Sequence, residues 1–108
     1  MREILFRGNT GNGEWVYGFI VKMFGTYHII DKDDENTAYE VIPSTVGQYV
    51  GLKDKNGKRI FENGYMIIDK QTYKVLFDNG EYILKNIFNC DIIQLKNNSN
   101  IGVFVDEI

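Results

Sequence analysis

Two Asn-Gly dipeptides, each flanked by strand-forming residues, constrain the fold more than any other feature of this sequence. Asn56-Gly57 lies within KDKNGKRIF, and Asn79-Gly80 lies within VLFDNGEYIL. Asn and Gly tolerate the positive φ angles of tight hairpin turns, so such a pair between apolar runs is a strong hairpin signal. We therefore predict one hairpin around Asn56-Gly57 and a second that joins Tyr73–Asp78 to Glu81–Lys85.

The rest of the chain is typical of short strands separated by polar loops. Further strands are expected at Glu3–Arg7, Glu14–Phe24, Thr26–Asp31, Tyr39–Ile42, Gly47–Leu52, Cys90–Lys96 and Ile101–Val105. Gly18, inside a strand, indicates a bulge or a close approach of the backbone. Gly25 can turn the second strand into the third. Pro43–Val46 can form one helical or 3₁₀ turn, because proline suits the first helical position.

Composition favours the same fold class. Aromatic residues make up 14% of the chain, and the good helix former alanine occurs once, at Ala38. Aromatic residues suit pleated sheet surfaces. We predict a mainly β protein, a small antiparallel β-barrel or barrel-like sandwich with at most short helical turns. It should be a single domain over residues 1–108, with a soft seam near residues 43–46.

Positive charge is concentrated at one predicted hairpin tip. Lys53, Lys55, Lys58 and Arg59 flank Asn56-Gly57, with Tyr49 and Phe61 on the arms. A basic tip with nearby aromatics can contact a nucleic-acid backbone and stack on bases. A solvated hairpin tip explains the same lysines without any function. The candidate partner-binding residues are therefore Lys53, Lys55, Lys58, Arg59 and Tyr49, while the overall pI of about 5.1 argues against a dedicated duplex-DNA binder.

Residue types needed for common catalytic and metal sites are scarce. His28 is the only histidine and Cys90 the only cysteine, so one chain cannot supply four N/S zinc ligands. The acidic segment DKDDEN lacks the glycine and the glutamate of an EF-hand loop. We expect no catalytic residue, metal or cofactor, and a hydrolase-type activity is the remaining alternative. We interpret Cys90 as a packing residue. We interpret His28 as a strand residue that is exposed or bonded to a neighbour.

The segment VGQYVGLKDKNGKRIFENG, Val46–Gly64, resembles the YopX family of small phage and prophage proteins. The usual pattern there is similar to V-G-Q-Y-T-G-L-K-D-K-N-G-K-x-I-[YF]-E-G-D-[IV]. The opening MREILFRG, the later VYG and the segment YKVLFDNGEYIL are also similar to that family. The sequence departs from it at Asn63-Gly64-Tyr65, where the family's Asp is missing, and in a tail reduced to IGVFVDEI.

The resemblance implies a β-rich fold and a phage or prophage origin, and it implies no reaction. We expect a non-enzymatic accessory protein that binds a macromolecule in the host cytoplasm. A protein partner is favoured because the net charge is −3, and edge strands also invite self-association. A nucleic-acid-binding barrel that uses the basic tip is the alternative. The N-terminus lacks the apolar core of a signal peptide, and no apolar stretch reaches the length of a membrane span, which favours a cytosolic protein without membrane contact.

Overall fold

The computed structural model describes residues 3–107, so Met1, Arg2 and Ile108, which belong to the opening and closing motifs above, lie outside the described residues. The described residues form eleven strands and two single-turn 3₁₀ segments, Pro43–Thr45 and Ser99–Ile101, with no α-helix. The strands are β1 Phe6–Asn9, β2 Trp15–Met23, β3 Thr26–Asp31, β4 Ala38–Glu40, β5 Gly47–Lys53, β6 Arg59–Phe61, β7 Tyr65–Ile68, β8 Gln71–Asp78, β9 Glu81–Asn86, β10 Ile92–Gln94 and β11 Val103–Val105.

Two compact units divide the chain between Tyr49 and Val50. In the first unit the strand order is β4-β3-β2-β1-β5, and the paired strands are antiparallel. β5 continues past Tyr49, and β6 lies beside it. The division falls a few residues after the predicted seam. The single-domain organisation stays a prediction.

The first unit is built on a long hairpin of β2 and β3. Met23 faces Thr26 across the two-residue turn Phe24-Gly25, which confirms the predicted turn at Gly25. Gly18 is the residue of β2 that faces Asp31, and a Cβ atom there would overlap the carbonyl oxygen of Ile30. The predicted close backbone approach at Gly18 is therefore confirmed.

One face of this hairpin supplies the core of the first unit. The buried residues Val16, Ile29 and Val41 pack together, and partly buried apolar residues surround them: Phe6, Ile20, Tyr39 and Val46. Gly8 is needed at this point because a Cβ atom there would lie 2.9 Å from the side chain of Val41. Arg7 lies on the opposite face of the sheet and is fully buried. Its guanidinium carbon lies 3.9 Å from the centroid of the Trp15 ring, and this cation–π contact accommodates a charge in the interior.

The second unit contains a five-stranded antiparallel sheet in the order β10-β9-β8-β7-β11. Its register aligns Phe104 with Met66, and Val75 with Leu84. Directly opposed residues share a face of a sheet, and all four of these side chains are buried. The core of this unit therefore lies on that face.

The strand β7 and its turn are absent from the sequence-based expectations. β7 and β8 are joined by Asp69-Lys70, with φ angles of 49° and 66°. A two-residue turn with both φ angles positive is the type that Asn-Gly normally supplies. Because neither residue is glycine, the sequence lacks the Asn-Gly or Asp-Gly hairpin signal at this point.

Most other expectations are confirmed with shifted ends. The hairpin of β8 and β9, the 3₁₀ turn at Pro43 and the strands β2, β3 and β5 lie close to their predicted ranges. β1 begins three residues late, at Phe6, although the hydrogen bond from Tyr49 N–H to the carbonyl of Leu5 continues its register with β5. The mainly β class and the antiparallel pairing are confirmed. Closure of the sheets into a barrel or sandwich stays a prediction.

Candidate binding surfaces

The basic hairpin between β5 and β6 turns through Lys55, Asn56 and Gly57. Gly57 N–H donates to the carbonyl of Asp54 at 3.0 Å, and Gly57 alone in this turn has a positive φ, at 81°. This is a three-residue hairpin loop with glycine in the left-handed position. Asn79-Gly80, by contrast, forms a two-residue turn in which both φ angles are positive, 51° and 82°. The same dipeptide therefore makes two different turns.

The carboxylate of Asp54 accounts for the difference. Its Oδ1 accepts the backbone N–H of Asn56 and of Lys58, each at 2.8 Å, and its Oδ2 accepts the N–H of Phe104 at 2.8 Å. Burial of the carboxylate raises its pKa, but these three N–H groups and the charge of Lys58 outweigh that effect and hold the pKa below its ordinary value. Asp54 is thus an internal support of the tip, which leaves the neighbouring side chains to face outward.

The structure places the predicted site residues in two different environments. Lys53, Lys55, Lys58 and Arg59 are all exposed at the end of the hairpin. Lys58 Nζ lies 3.8 Å from Asp106 Oδ2 and 5.4 Å from the centroid of the Phe104 ring. The positive charge predicted at the tip is therefore present, although Lys58 is partly engaged within the protein.

The aromatic residues on the arms of the hairpin are not surface platforms. Tyr49 is 6% exposed, and Phe61 is 3% exposed with its ring centroid 6.5 Å from that of Phe104. Stacking on bases requires an accessible ring face. In this structure neither ring offers one, so a binding role for Tyr49 stays a prediction without geometric support.

A second surface feature lies in the turn between β9 and β10. Phe88 is 84% exposed at the outside of this turn, which we define as the Phe88 loop, residues 86–91. Two exposed isoleucines flank it, Ile87 within the loop and Ile92 at the start of the edge strand β10. Three apolar side chains are thus presented to solvent along one short segment.

Hydrogen bonds from one buried side chain hold the Phe88 loop in place. Asn86 is 2% exposed, and its Oδ1 accepts the N–H of Phe88 at 2.8 Å and that of Asn89 at 3.2 Å. Its Nδ2 donates to Gln71 Oε1 at 2.8 Å. A backbone hydrogen bond also closes the loop, since Asn86 N–H donates to the carbonyl of Asp91 at 2.8 Å. Phe88 is therefore exposed on a well-supported loop.

The acidic loop around Asp34 is held by its own local hydrogen bonds. In the acidic loop, Asp34 accepts the hydroxyl of Thr37 at 2.6 Å and the N–H of Asn36 at 3.1 Å. These bonds, the hydroxyl first, lower the pKa of Asp34, with burial acting in the opposite direction. Among residues 3–107, no three His, Cys, Asp or Glu side chains come together as a metal-binding group. The same residues contain no helix that could cross a bilayer.

One minor expectation is wrong, and a second is confirmed in part. Cys90 is exposed in the Phe88 loop with a φ of 65°, so it is not a packing residue. The loop has a left-handed residue at this point, and the side chain of Cys90 lies at the surface there. His28 lies in strand β3, as predicted, but it is half-buried, and its buried Nδ1 has no hydrogen-bond partner among the described residues.

Sequence reasoning missed the residues that shape these surfaces. The sequence analysis assigns no role to Asp54 or to Phe88. The spacing of Asn86 two residues before Phe88 is a usable signal, because Asn side chains commonly accept the N–H two residues on. The partnership of Asp54 with Phe104 spans 50 residues, and no local pattern contains it.

The fold and these surfaces define a small, mainly β protein with two antiparallel sheets. A family model described as YopX protein matches residues 5–104 of the 108. The chain belongs to the YopX protein family, and the resemblance noted at Val46–Gly64 is confirmed. A search of curated proteins found no match.

Proposed function

We propose that this YopX protein is a non-enzymatic accessory protein of phage or prophage origin that acts by binding a partner protein in the host cytoplasm. The observation that carries the proposal is the Phe88 loop. Phe88, Ile87 and Ile92 are exposed along one short segment, and clustered exposed apolar residues are typical of surfaces where another molecule binds. Membership of the YopX family is compatible with a small accessory protein. The phage or prophage origin is an implication of the resemblance.

The loop has the properties of a protein-binding surface. Phe88 is a large apolar side chain, and aromatic anchors are enriched among the residues that dominate binding energy. The hydrogen bonds of Asn86 fix the backbone beneath it, so little conformational entropy is lost when a partner packs there. β10 is an edge strand of three residues, and an extended segment of a partner can add to such an edge.

Affinity capture from infected or lysogen-bearing host cells tests this proposal. Phe88→Ser removes the ring and keeps the backbone N–H that Asn86 binds. Ile101→Ser is the matched control, because Ile101 is a similarly apolar, 52% exposed residue elsewhere in the same unit. We expect the wild type and the control to capture the same protein, and Phe88→Ser to lose it at unchanged thermal stability. Equal capture by all three variants contradicts the proposal.

Nucleic-acid binding by the basic tip is the second candidate. Four exposed basic side chains at one hairpin end favour it, because phosphate contacts depend on such charges. The aromatic contribution is weaker than the sequence indicates, since Tyr49 and Phe61 are buried. Any binding would therefore be mainly electrostatic and independent of sequence.

Titration with single- and double-stranded DNA and RNA at several salt concentrations decides the second candidate. The variant Lys53→Gln/Lys55→Gln/Arg59→Gln removes three charges and leaves the Lys58 contacts in place. The control Lys70→Gln/Lys85→Gln/Lys96→Gln removes three exposed lysines elsewhere in the second unit. If the tip binds phosphates, the first variant lowers the salt slope by up to about 0.9 per lost contact and the control does not. Absence of binding at low salt excludes this candidate.

A further inference from the structure

Two lysines face each other directly across the second sheet. The register pairs Lys74 of β8 with Lys85 of β9, and directly opposed side chains have Cβ atoms about 5 Å apart. Each lysine is next in sequence to a buried core residue, Val75 or Leu84. Because successive side chains of a strand alternate between the two faces, both lysines project from the face opposite to the core. Like charges at directly opposed positions are destabilising, so this pair does not stabilise the fold.

No acidic residue of the described chain balances the two lysines. Their nearest neighbours on the same face are apolar or uncharged: Tyr65, Thr72, Leu76, Ile83, Ile87 and Ile92. Neither lysine forms an ion pair within residues 3–107. Their charge is therefore offset only by solvent or by an anionic group of another molecule.

Exposed isoleucines flank the lysine pair on the same face. Ile92 of β10 faces Lys85 directly and is exposed. Ile87 N–H donates to the carbonyl of Thr72, which faces Ile67, so Ile67 and Ile87 lie in one row across the sheet, and both are exposed. We define the lysine pair and these three isoleucines as the outer patch. It crosses four strands, from β7 to β10, and is therefore about 14 Å wide at the usual strand spacing.

The outer patch is continuous with the Phe88 loop, because that loop joins the strand of Lys85 to the strand of Ile92. We propose that the partner segment that packs on Phe88 carries a carboxylate, which binds between Lys74 and Lys85 while apolar neighbours in the segment cover the isoleucines. This inference rests on the proposed function and gives the chemistry of the partner, a short acidic and apolar segment. A nucleic-acid backbone offers phosphates but no aliphatic side chains for the isoleucines, so the patch favours a peptide.

The apolar surroundings make the lysine pair selective. Lys74 is already half-buried, and a segment that covers the patch removes further water, so charges there are less screened. A carboxylate between the two ammonium groups then offsets their mutual repulsion. A neutral segment of the same shape would leave both lysines covered and unpaired, which is unfavourable. The patch therefore discriminates between segments by the presence of an acid.

Selection from a random displayed peptide library against the full chain tests this chemistry. We expect the wild type to enrich peptides with Asp or Glu beside aliphatic or aromatic residues. Lys74→Glu/Lys85→Glu should enrich Lys or Arg in the same apolar setting. The control Lys53→Glu/Lys55→Glu makes the same charge change at the basic hairpin and should keep the acidic preference. No enrichment, no acidic preference, or a preference lost in the control overturns the inference.

Titration with a synthetic copy of an enriched peptide measures the pairing. Replacement of its acid by the corresponding amide should weaken binding to the wild type about tenfold, and the difference should shrink at high salt. Lys74→Gln/Lys85→Gln should bind both peptides alike. Equal binding of both peptides to the wild type overturns the inference. An RNA or DNA oligonucleotide that displaces the acidic peptide indicates a phosphate site and overturns it as well.

Two further readouts separate this inference from folding and from the proposed function. Lys85→Glu opposes unlike charges at Lys74 and should melt at or above the wild-type temperature, so its loss of acidic peptides is not unfolding. A lower melting temperature contradicts the unbalanced pair. A host protein captured through Phe88, and equally by Lys74→Gln/Lys85→Gln, overturns this inference and leaves the proposed function standing. Equal capture by the wild type and Phe88→Ser contradicts the proposed function, while the peptides still decide the acidic preference.

Discussion

The carboxylate of Asp54 accepts the backbone N–H of Phe104 at 2.8 Å, which ties the tip of the basic hairpin to the last strand of the second unit. The same carboxylate accepts two further N–H groups within the hairpin. Much of the YopX pattern around LKDKNGK is therefore explained by folding. The aspartate, the asparagine and the glycine build a turn, and only the lysines and Arg59 remain as surface groups.

Replacement of Asp54 should be among the more destabilising changes in the second unit. Asp54→Ala leaves three backbone N–H groups without their acceptor, one of them at the buried strand residue Phe104. Hydrogen bonds to a charged group contribute about 1.5 to 3 kcal/mol each, with incomplete additivity, so we expect a loss of about 3 kcal/mol in the free energy of unfolding. Urea denaturation measures it. A loss below ~0.5 kcal/mol contradicts the structural role of Asp54.

Acid should remove the contribution of Asp54. Its pKa is lower in the folded protein than the ordinary 3.8, so the stabilisation is present above that value and disappears as pH falls through the folded pKa. The stability difference between wild type and Asp54→Ala should be constant near neutral pH and shrink below about pH 4. Denaturation curves across that range measure it. Asp34→Ala is the control, because the pKa of Asp34 is also lowered but its carboxylate is exposed to solvent screening. The prediction is contradicted if, on acidification, the stability difference from the wild type shrinks for Asp34→Ala and does not shrink for Asp54→Ala.

The turn between β7 and β8 should be improvable. Lys70 has a φ of 66°, a conformation that costs roughly 1 kcal/mol for residues other than glycine. Lys70→Gly removes this strain, and part of the gain is offset by greater entropy of the unfolded chain. We expect the free energy of unfolding to rise by about 0.5 kcal/mol, measured by urea denaturation against Lys70→Ala. If Lys70→Gly is no more stable than the wild type and Lys70→Ala, the turn is not strained.

Asn86 should couple the order of the Phe88 loop to binding. Asn86→Ala removes three side-chain hydrogen bonds at a buried site, and we expect a loss of about 2 kcal/mol in stability. Amide exchange should speed up at Phe88 and Asn89 more than in β8. Capture of the partner should weaken although Phe88 is intact. Unchanged exchange in the loop contradicts the support assigned to Asn86.

Local turn chemistry was predictable from the sequence, and contacts between distant segments were not. Asn79-Gly80 and Gly25 gave their hairpins because glycine marks a positive φ directly. Asp69-Lys70 adopts the same turn without glycine, so β7 was missed. The positive charge at the tip was visible in the sequence. The burial of Tyr49 is not visible in the sequence, because the face of the sheet that a strand residue occupies depends on partner strands that the sequence does not identify.

The most direct test of protein binding places a photoreactive p-benzoylphenylalanine at position 88, in the lysogen-bearing cells that the proposed function implies. This residue keeps the aromatic ring and the N–H that Asn86 accepts. A matched sample carries it at position 101. The account predicts a light-dependent covalent adduct at position 88 that protease removes and nuclease does not, with no comparable adduct at position 101. No adduct at position 88, equal adducts at both positions, or an adduct removed by nuclease would contradict it.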